Sequence, residues 1–236
     1  MQLSLGIQSI GAWSPEFQTL PQWLDWPHSP ITDIDPEAKP KLSQVPAMQR
    51  RRFSRLSKMM LEVAFQCQAP AQCRSVFASR HGELHRTLGL LKDIIKDEPI
   101  SPIGFSQSVH NTASGLYTIL TENQAPSTSI AACEQSLLQA LIEAYCQLKQ
   151  QPDPLLLAFG DEPVPEIYAN FVNESELPIA LAMVLVPDGQ GDLGRLTLDT
   201  EPQSEQTLSY GAIIHAIATG QRLTGQFQGS QWCINS

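Results

Sequence analysis

Apolar positions along the chain switch between two periods. Residues 3–13 read L-S-L-G-I-Q-S-I-G-A-W, with apolar side chains at Leu3, Leu5, Ile7 and Ile10, which predicts a strand buried on at least one face. Residues 74–79 and 127–132 are short runs of small and β-branched residues, too short for helices, and predict two further strands, the second of them buried. Residues 155–159 and 179–186 are continuous apolar runs bounded by turn residues, the pattern of strands covered on both faces. Shorter strands are expected at 193–198 and 227–234. Between these runs the period becomes helical. Met59, Met60, Val63 and Ala64 carry a helix into Cys67, and Ala69-Pro70 ends it. Leu84, Leu88, Leu91 and Ile95 share one face of a helix over 83–96. Asn111, Thr112 and Ser114 offer cap oxygens to a helix that residues 122–126 break. Leu137, Leu138, Leu141, Ile142, Tyr145 and Leu148 stripe a long helix, and 204–219 holds another. Strands alternating with helices predict an α/β three-layer architecture, with helices on both faces of the sheet.

Length and composition narrow this further. A chain of 236 residues fits one domain, expected over 1–236, with an irregular Pro- and Trp-rich insertion at 14–47 and a C-terminal extension at 200–236. Apolar residues make up 42%, enough for a full core, while charged residues are only 17%, low for a wholly solvated surface. Part of that surface is therefore expected to be covered by another chain. A net charge of −9 argues against general nucleic-acid binding. Five cysteines without a CxxC pair favour a reducing compartment over a disulfide framework. The first residues lack a basic n-region, and no apolar run approaches the roughly 18 residues that span a bilayer. A cytoplasmic protein is expected, without a membrane span, metal or cofactor.

Four groups of residues could carry chemistry. Cys133 falls where the strand at 127–132 turns into the striped helix. A thiol at a helix N-terminus is biased toward thiolate, and a strand-to-helix elbow presents a nucleophile. From local sequence alone, a small buried residue at a tight corner is the favoured reading. His81 and His85 stand at i and i+4, but the zincin pattern needs Glu after the first His and Gly82 stands there, so a polar loop opening a helix is expected. Asp161 and Glu162 read as loop carboxylates at a strand end. Arg50, Arg51, Arg52, Arg55 and Lys58 gather five of the 15 basic residues in nine positions. They fit either a dock for an acidic partner or a cluster paired with carboxylates.

The succession Phe105, Ser108-Val109-His110-Asn111, Gly115, Ala125-Pro126, Ser129-Ile130-Ala131-Ala132-Cys133, Ser136, Ala140 and Ala144 resembles β-ketoacyl synthases of the thiolase fold. Residues 48–59 resemble the stretch opening their first core helix, and 158–162 and 180–186 resemble the last strands of their N-terminal half. The resemblance covers about residues 1–190. It implies a thiolase-like half-fold: four strands with crossover helices and a fifth running antiparallel, a five-stranded mixed sheet. It also implies Cys133 at the nucleophile position and a helix near Asn111 by a dimer interface.

The same resemblance shows what is missing. Condensation in the family uses two histidines from the C-terminal half, in Gly-rich motifs. After position 136 this chain has one histidine, His215, and no such motif. Glu134-Gln135 replaces the small residues that usually follow the cysteine, and a carboxylate beside a thiol disfavours thiolate. Three functions compete. The first is a non-catalytic chain-length factor paired with a full-length β-ketoacyl synthase, as in polyketide and aryl-polyene pathways. It would join through Ser129, Ile130, Ala131 and Ala132, with Phe105, Val109, His110, Asn111 and Thr112 reaching toward the partner's acyl tunnel. The second is an independent acyl thioester enzyme using Cys133 with His110 as base. The third is a module binding acyl carrier protein through Arg50, Arg51, Arg52, Arg55 and Lys58.

Overall fold

A computed structural model describes residues 2–28, 30–31, 33–35, 37–173, 176–201 and 203–235. Of the expected insertion, Ser29, Thr32 and Pro36 lie outside the described residues, as do Pro202 and Ser236 of the expected extension. The chain begins with β1 (Gln2–Trp13), α1 (Leu20–Leu24), α2 (Ala47–Arg50), α3 (Arg55–Gln66), β2 (Arg74–Ala78), α4 (Leu84–Ile95), α5 (Pro102–Ser106) and α6 (Thr112–Thr121). It continues with β3 (Ser127–Ile130), α7 (Ser136–Gln150), β4 (Leu155–Asp161), β5 (Ile179–Pro187), β6 (Gly194–Asp199), α8 (Tyr210–Thr219), β7 (Leu223–Phe227) and β8 (Ser230–Asn235).

The strands form one sheet in the order β3-β2-β4-β5-β1-β6-β8-β7. β3, β2 and β4 run parallel, and the remaining pairings are antiparallel. The five expected strands are all present as β3-β2-β4-β5-β1, but the sheet has eight. The reason lies in β1, which is 12 residues long and pairs with β5 along one side only. Its other side would be a long row of unpaired amides. β6 takes that side, and β8 and β7 carry the sheet onward. The single strand expected over 227–234 is instead a hairpin, because Gln228 (φ 50°) and Gly229 (φ 77°) turn the chain between β7 and β8.

β5 shows why the central strands read as unbroken apolar runs. Ile179, Leu181, Met183 and Leu185 point into a core shared with α7 and α8. Ala180, Ala182 and Val184 point into a second core shared with α3 and α6. The small residues on that second face let α3 lie close, and a Cβ at Gly11 would overlap the Val63 carbonyl. Two regions differ in burial from the sequence expectation. β3 is the edge of the sheet and none of its four residues is buried, so the strand is not covered as expected. α4 forms as predicted but buries none of its residues, leaving Leu91, Ile94 and Ile95 at 45%, 55% and 83% exposure.

Candidate functional site: the elbow after the edge strand

Cys133 lies between β3 and α7 with φ 49°, in the left-handed region that non-glycine residues seldom occupy. Ser136, the first residue of α7, holds the corner. Its Oγ accepts from the Ala132 amide at 3.0 Å and donates to the Cys133 carbonyl at 2.8 Å. The Gln135 amide donates to the Ala132 carbonyl at 3.0 Å. The result is an exposed thiol rather than a small buried residue. The N-terminus of α7 is capped from far along the chain, where Gln228 Oε1 accepts from the Leu138 amide at 3.0 Å.

The carboxyl ends of the neighbouring parallel strands supply the surroundings, as open α/β sheets generally do. Asp161, the last residue of β4, is buried and accepts from Ser79 Oγ and the Arg80 amide, each at 2.8 Å. Ser79 Oγ in turn accepts from the Gly82 amide at 2.9 Å. Asp161 is thus the peg of the loop after β2, not a free loop carboxylate. That loop brings the Arg80 guanidinium within 3.7 Å of the Glu134 carboxylate. The opposite wall is aromatic. Tyr210 stacks on Phe159 at 5.3 Å and meets Phe227 edge-on at 4.8 Å, while Gln228 Nε2 donates to the Tyr210 hydroxyl at 3.0 Å. Together these residues leave a cleft of about 150 Å³ at Cys133. Arg80 and Asp161 follow from the strand-end rule once β2 and β4 are placed. Tyr210, Phe227 and Gln228 carry no local signal.

His110 is elsewhere. Its Nε2 lies 2.8 Å from the Ser79 carbonyl, and its ring packs on Gly82 (φ 55°), where a Cβ would fall 2.8 Å from His110 Cδ2. It does not line the cleft, and among the described residues no hydrogen bond joins it to Cys133. Asn111 precedes α6 as its cap residue, but its side chain makes no capping bond. Thr112 is buried and donates to the Val109 carbonyl at 2.7 Å. Ser114 Oγ and Ser127 Oγ, 2.7 Å apart, tie α6 to β3. Phe105 and Val109 project at 66% and 50% exposure, and Ser129, Ile130 and Ala132 are half-buried beside exposed Ala131.

The basic cluster is divided between two places. Arg50 donates to the Lys41 and Leu42 carbonyls at 3.2 and 3.3 Å. With Arg51, Lys58 and Lys41 it borders a concavity of about 380 Å³. Burial first, then the nearby Lys39 and Arg50 charges, push the Lys58 pKa down. Arg51, Arg52 and Arg55 line a larger groove of about 970 Å³, shared with Asp93, Glu162 and Glu166. His85 Nε2 lies 2.7 Å from the Pro163 carbonyl. Among the described residues, no group of three His, Cys, Asp or Glu side chains is placed to hold a metal.

Comparison with solved structures fits this geometry. A chain of the ketosynthase (ApeO) in complex with its chain length factor (ApeC) from Xenorhabdus doucetiae superposes with a TM-score of 0.81 at 26% identity, over 99% of this chain and 100% of that one. The ishigamide ketosynthase/chain length factor follows at 0.65 and 12%, over 92% and 81%. A chain of AntDE:AntF, a type II acyl-carrier protein in complex with its ketosynthase, follows at 0.62 and 11%, over 99% of both chains. These last two share the fold. No curated protein sequence matches the chain. The family profile described as β-ketoacyl synthase, N-terminal domain matches residues 23–233. A match over that much of the sequence, on a sheet with its elbow cysteine in place, makes this chain a member of the β-ketoacyl synthase N-terminal domain family.

Proposed function

We propose that the chain is a non-catalytic, ketosynthase-like subunit, a chain-length factor. It pairs with a full-length β-ketoacyl synthase and shapes that enzyme's acyl tunnel in polyene, polyketide or fatty-acid-like biosynthesis. The observation that carries this is the bare edge of β3. An unpaired strand edge is a surface that chains normally cover, and α6, packed against β3, exposes Ile119 at 75%. A 26%-identical chain in a ketosynthase/chain-length-factor complex, matched over its full length, supports the same assignment. The Cys133 cleft supports the non-catalytic part, because no histidine among the described residues lines it and His110 faces Ser79. A stand-alone acyl enzyme would need an imidazole there as base.

The remaining roles follow from this pairing. Ser129, Ile130, Ala131 and Ala132 form the joint, and Phe105, Val109, His110 and Asn111 face the partner's tunnel, with buried Thr112 bracing them through the Val109 carbonyl. Arg50, Arg51, Arg52, Arg55 and Lys58 receive the acidic acyl carrier protein, which relieves the crowding of Lys58 by Lys39 and Arg50. The five cysteines are free thiols, which fits a reducing, cytoplasmic setting.

The edge strand gives a direct test. The Ser75 amide bonds the Pro126 carbonyl and the Ser79 amide bonds the Ile130 carbonyl, at 3.1 and 3.2 Å. In a parallel pair the groups alternate, so the Ser127 and Ser129 amides face away from β2. Ser129→Pro removes only an outward amide, a change edge strands tolerate. It should abolish co-purification with the ketosynthase while the isolated chain keeps its melting temperature. An intact heterodimer carrying this variant would contradict the proposal.

A further inference from the structure

The loop before α2, α2 itself and the first turns of α3 enclose a hollow of about 380 Å³. That volume lies within the range of roughly 300–1,000 Å³ usual for small-molecule sites. Lys41 and Ser43 flank Leu42, which is wholly buried in the core shared with α3. The Leu42 amide donates to Glu62 Oε2 at 3.0 Å, and Arg50 Nη1 donates to the Lys41 and Leu42 carbonyls at 3.2 and 3.3 Å. The loop is therefore pinned to α3 by a carboxylate and to α2 by a guanidinium. Lys58 stands on α3 one turn before Glu62.

The charge of the hollow is one-sided. Its lining is Pro40, Lys41, Ser43, Arg50, Arg51 and Lys58: four cations, a hydroxyl and, among the described residues, no carboxylate. Acidic residues outnumber basic ones 24 to 15 in this chain, so such a lining departs from the composition of the whole. Glu62 turns its carboxylate to the Leu42 amide and does not line the hollow. Among the described residues, none of the four cations lies within ion-pair distance of a carboxylate. Their crowding is felt at Lys58, whose pKa is lowered first by burial and then by the Lys39 and Arg50 charges. A multiply charged anion relieves that repulsion, and guanidinium and ammonium donors suit phosphate oxygens. Pro40 is the one apolar residue of the described lining, so the hollow selects for charge rather than for an apolar body.

We propose that this hollow binds a small, free polyphosphate anion, of which pyrophosphate is the simplest. Arg50, Arg51 and Lys58 also belong to the proposed carrier dock, but the anion site adds Lys41 and Ser43 and leaves out Arg52 and Arg55. It requires neither carrier protein nor ketosynthase, so its failure would leave those assignments standing.

The experiment is calorimetric titration of the purified full chain with pyrophosphate at physiological ionic strength, where diffuse surface attraction is screened. Saturable binding to a single site is expected, at least about tenfold tighter than that of inorganic phosphate. Lys58→Met keeps the aliphatic stem and removes the charge. Arg51→Gln alters an exposed residue, which keeps the test decisive if Lys58→Met does not fold. Each should weaken pyrophosphate at least about tenfold, with thermal melts showing the variants folded. Lys96→Gln removes an exposed cation at the end of α4, outside the hollow, and changes the net charge equally. It should leave the affinity unchanged, which separates a site from overall charge. Absence of saturable binding, phosphate bound as tightly as pyrophosphate, Lys96→Gln weakening binding as much as Arg51→Gln, or unchanged affinity in the folded hollow variants would each overturn the proposal.

Discussion

Cys133 is held in a left-handed backbone conformation by one serine and stands exposed over a cleft of about 150 Å³. Its place at the elbow was readable from a short strand-like run followed by a helical stripe. Its neighbours were not, because Tyr210, Phe227 and Gln228 arrive from a part of the chain that nothing local links to residue 133. If Cys133 is not a nucleophile, Cys133→Ala should leave condensation by the assembled pair within about twofold, measured as single-turnover product formation. A loss of about a thousandfold would make it the acylated residue. Glu162 gives a separate residue-level test. Burial holds its carboxyl above the usual carboxylate range, reinforced by Glu83 and Glu37 and opposed by His85 and Arg55. The folded chain thus binds this proton more tightly than the unfolded one. The stability this contributes is present at low pH and is lost as pH rises from the unfolded pKa through the raised folded one. Glu162→Gln mimics the neutral form, so it should raise the melting temperature at neutral pH and flatten its change on acidification. A lowered melting temperature at neutral pH would count against this account.

At the scale of elements, periodicity identified type well and coverage poorly. α4 has the apolar face its sequence predicts, yet buries none of its residues, and β3 is a strand as expected but lies at the sheet edge. Hydrophobic pattern records that a face needs covering, not whether the same chain covers it. The hairpin of β7 and β8 shows the converse. Its turn, Gln228-Gly229, reads through as strand in the sequence, and its task is remote: Gln228 caps α7 and braces Tyr210. Gln228→Ala should cost about 0.5–2 kcal/mol, as loss of an N-terminal cap does, read from chemical denaturation. It should also loosen the aromatic wall, speeding alkylation of Cys133. A variant as stable as the parent, with unchanged alkylation, would remove the hairpin from this role.

For the whole molecule, the apolar pattern pointed to seven strands and the family resemblance to a five-stranded sheet, and the sheet contains eight. The family resemblance extends only to about residue 190, whereas β6, α8, β7 and β8 lie beyond it, so the pairing of β6 with β1, and of β8 and β7 after it, had no counterpart in the resemblance. These elements extend the far side of the sheet to β7, whose outer edge bonds the backbone of residues 206–208, while β3 is the opposite, bare edge. No helix among the described residues is long and apolar enough to cross a membrane. The proposed ketosynthase partner would cover the outer edge of β3. The most direct measurement is light scattering on a size-exclusion column, with the 26.0 kDa chain alone and co-expressed with a full-length ketosynthase. Co-elution at the summed mass of one copy of each is the predicted result. Recovery of this chain as a well-behaved monomer, eluting apart from the ketosynthase, would contradict it.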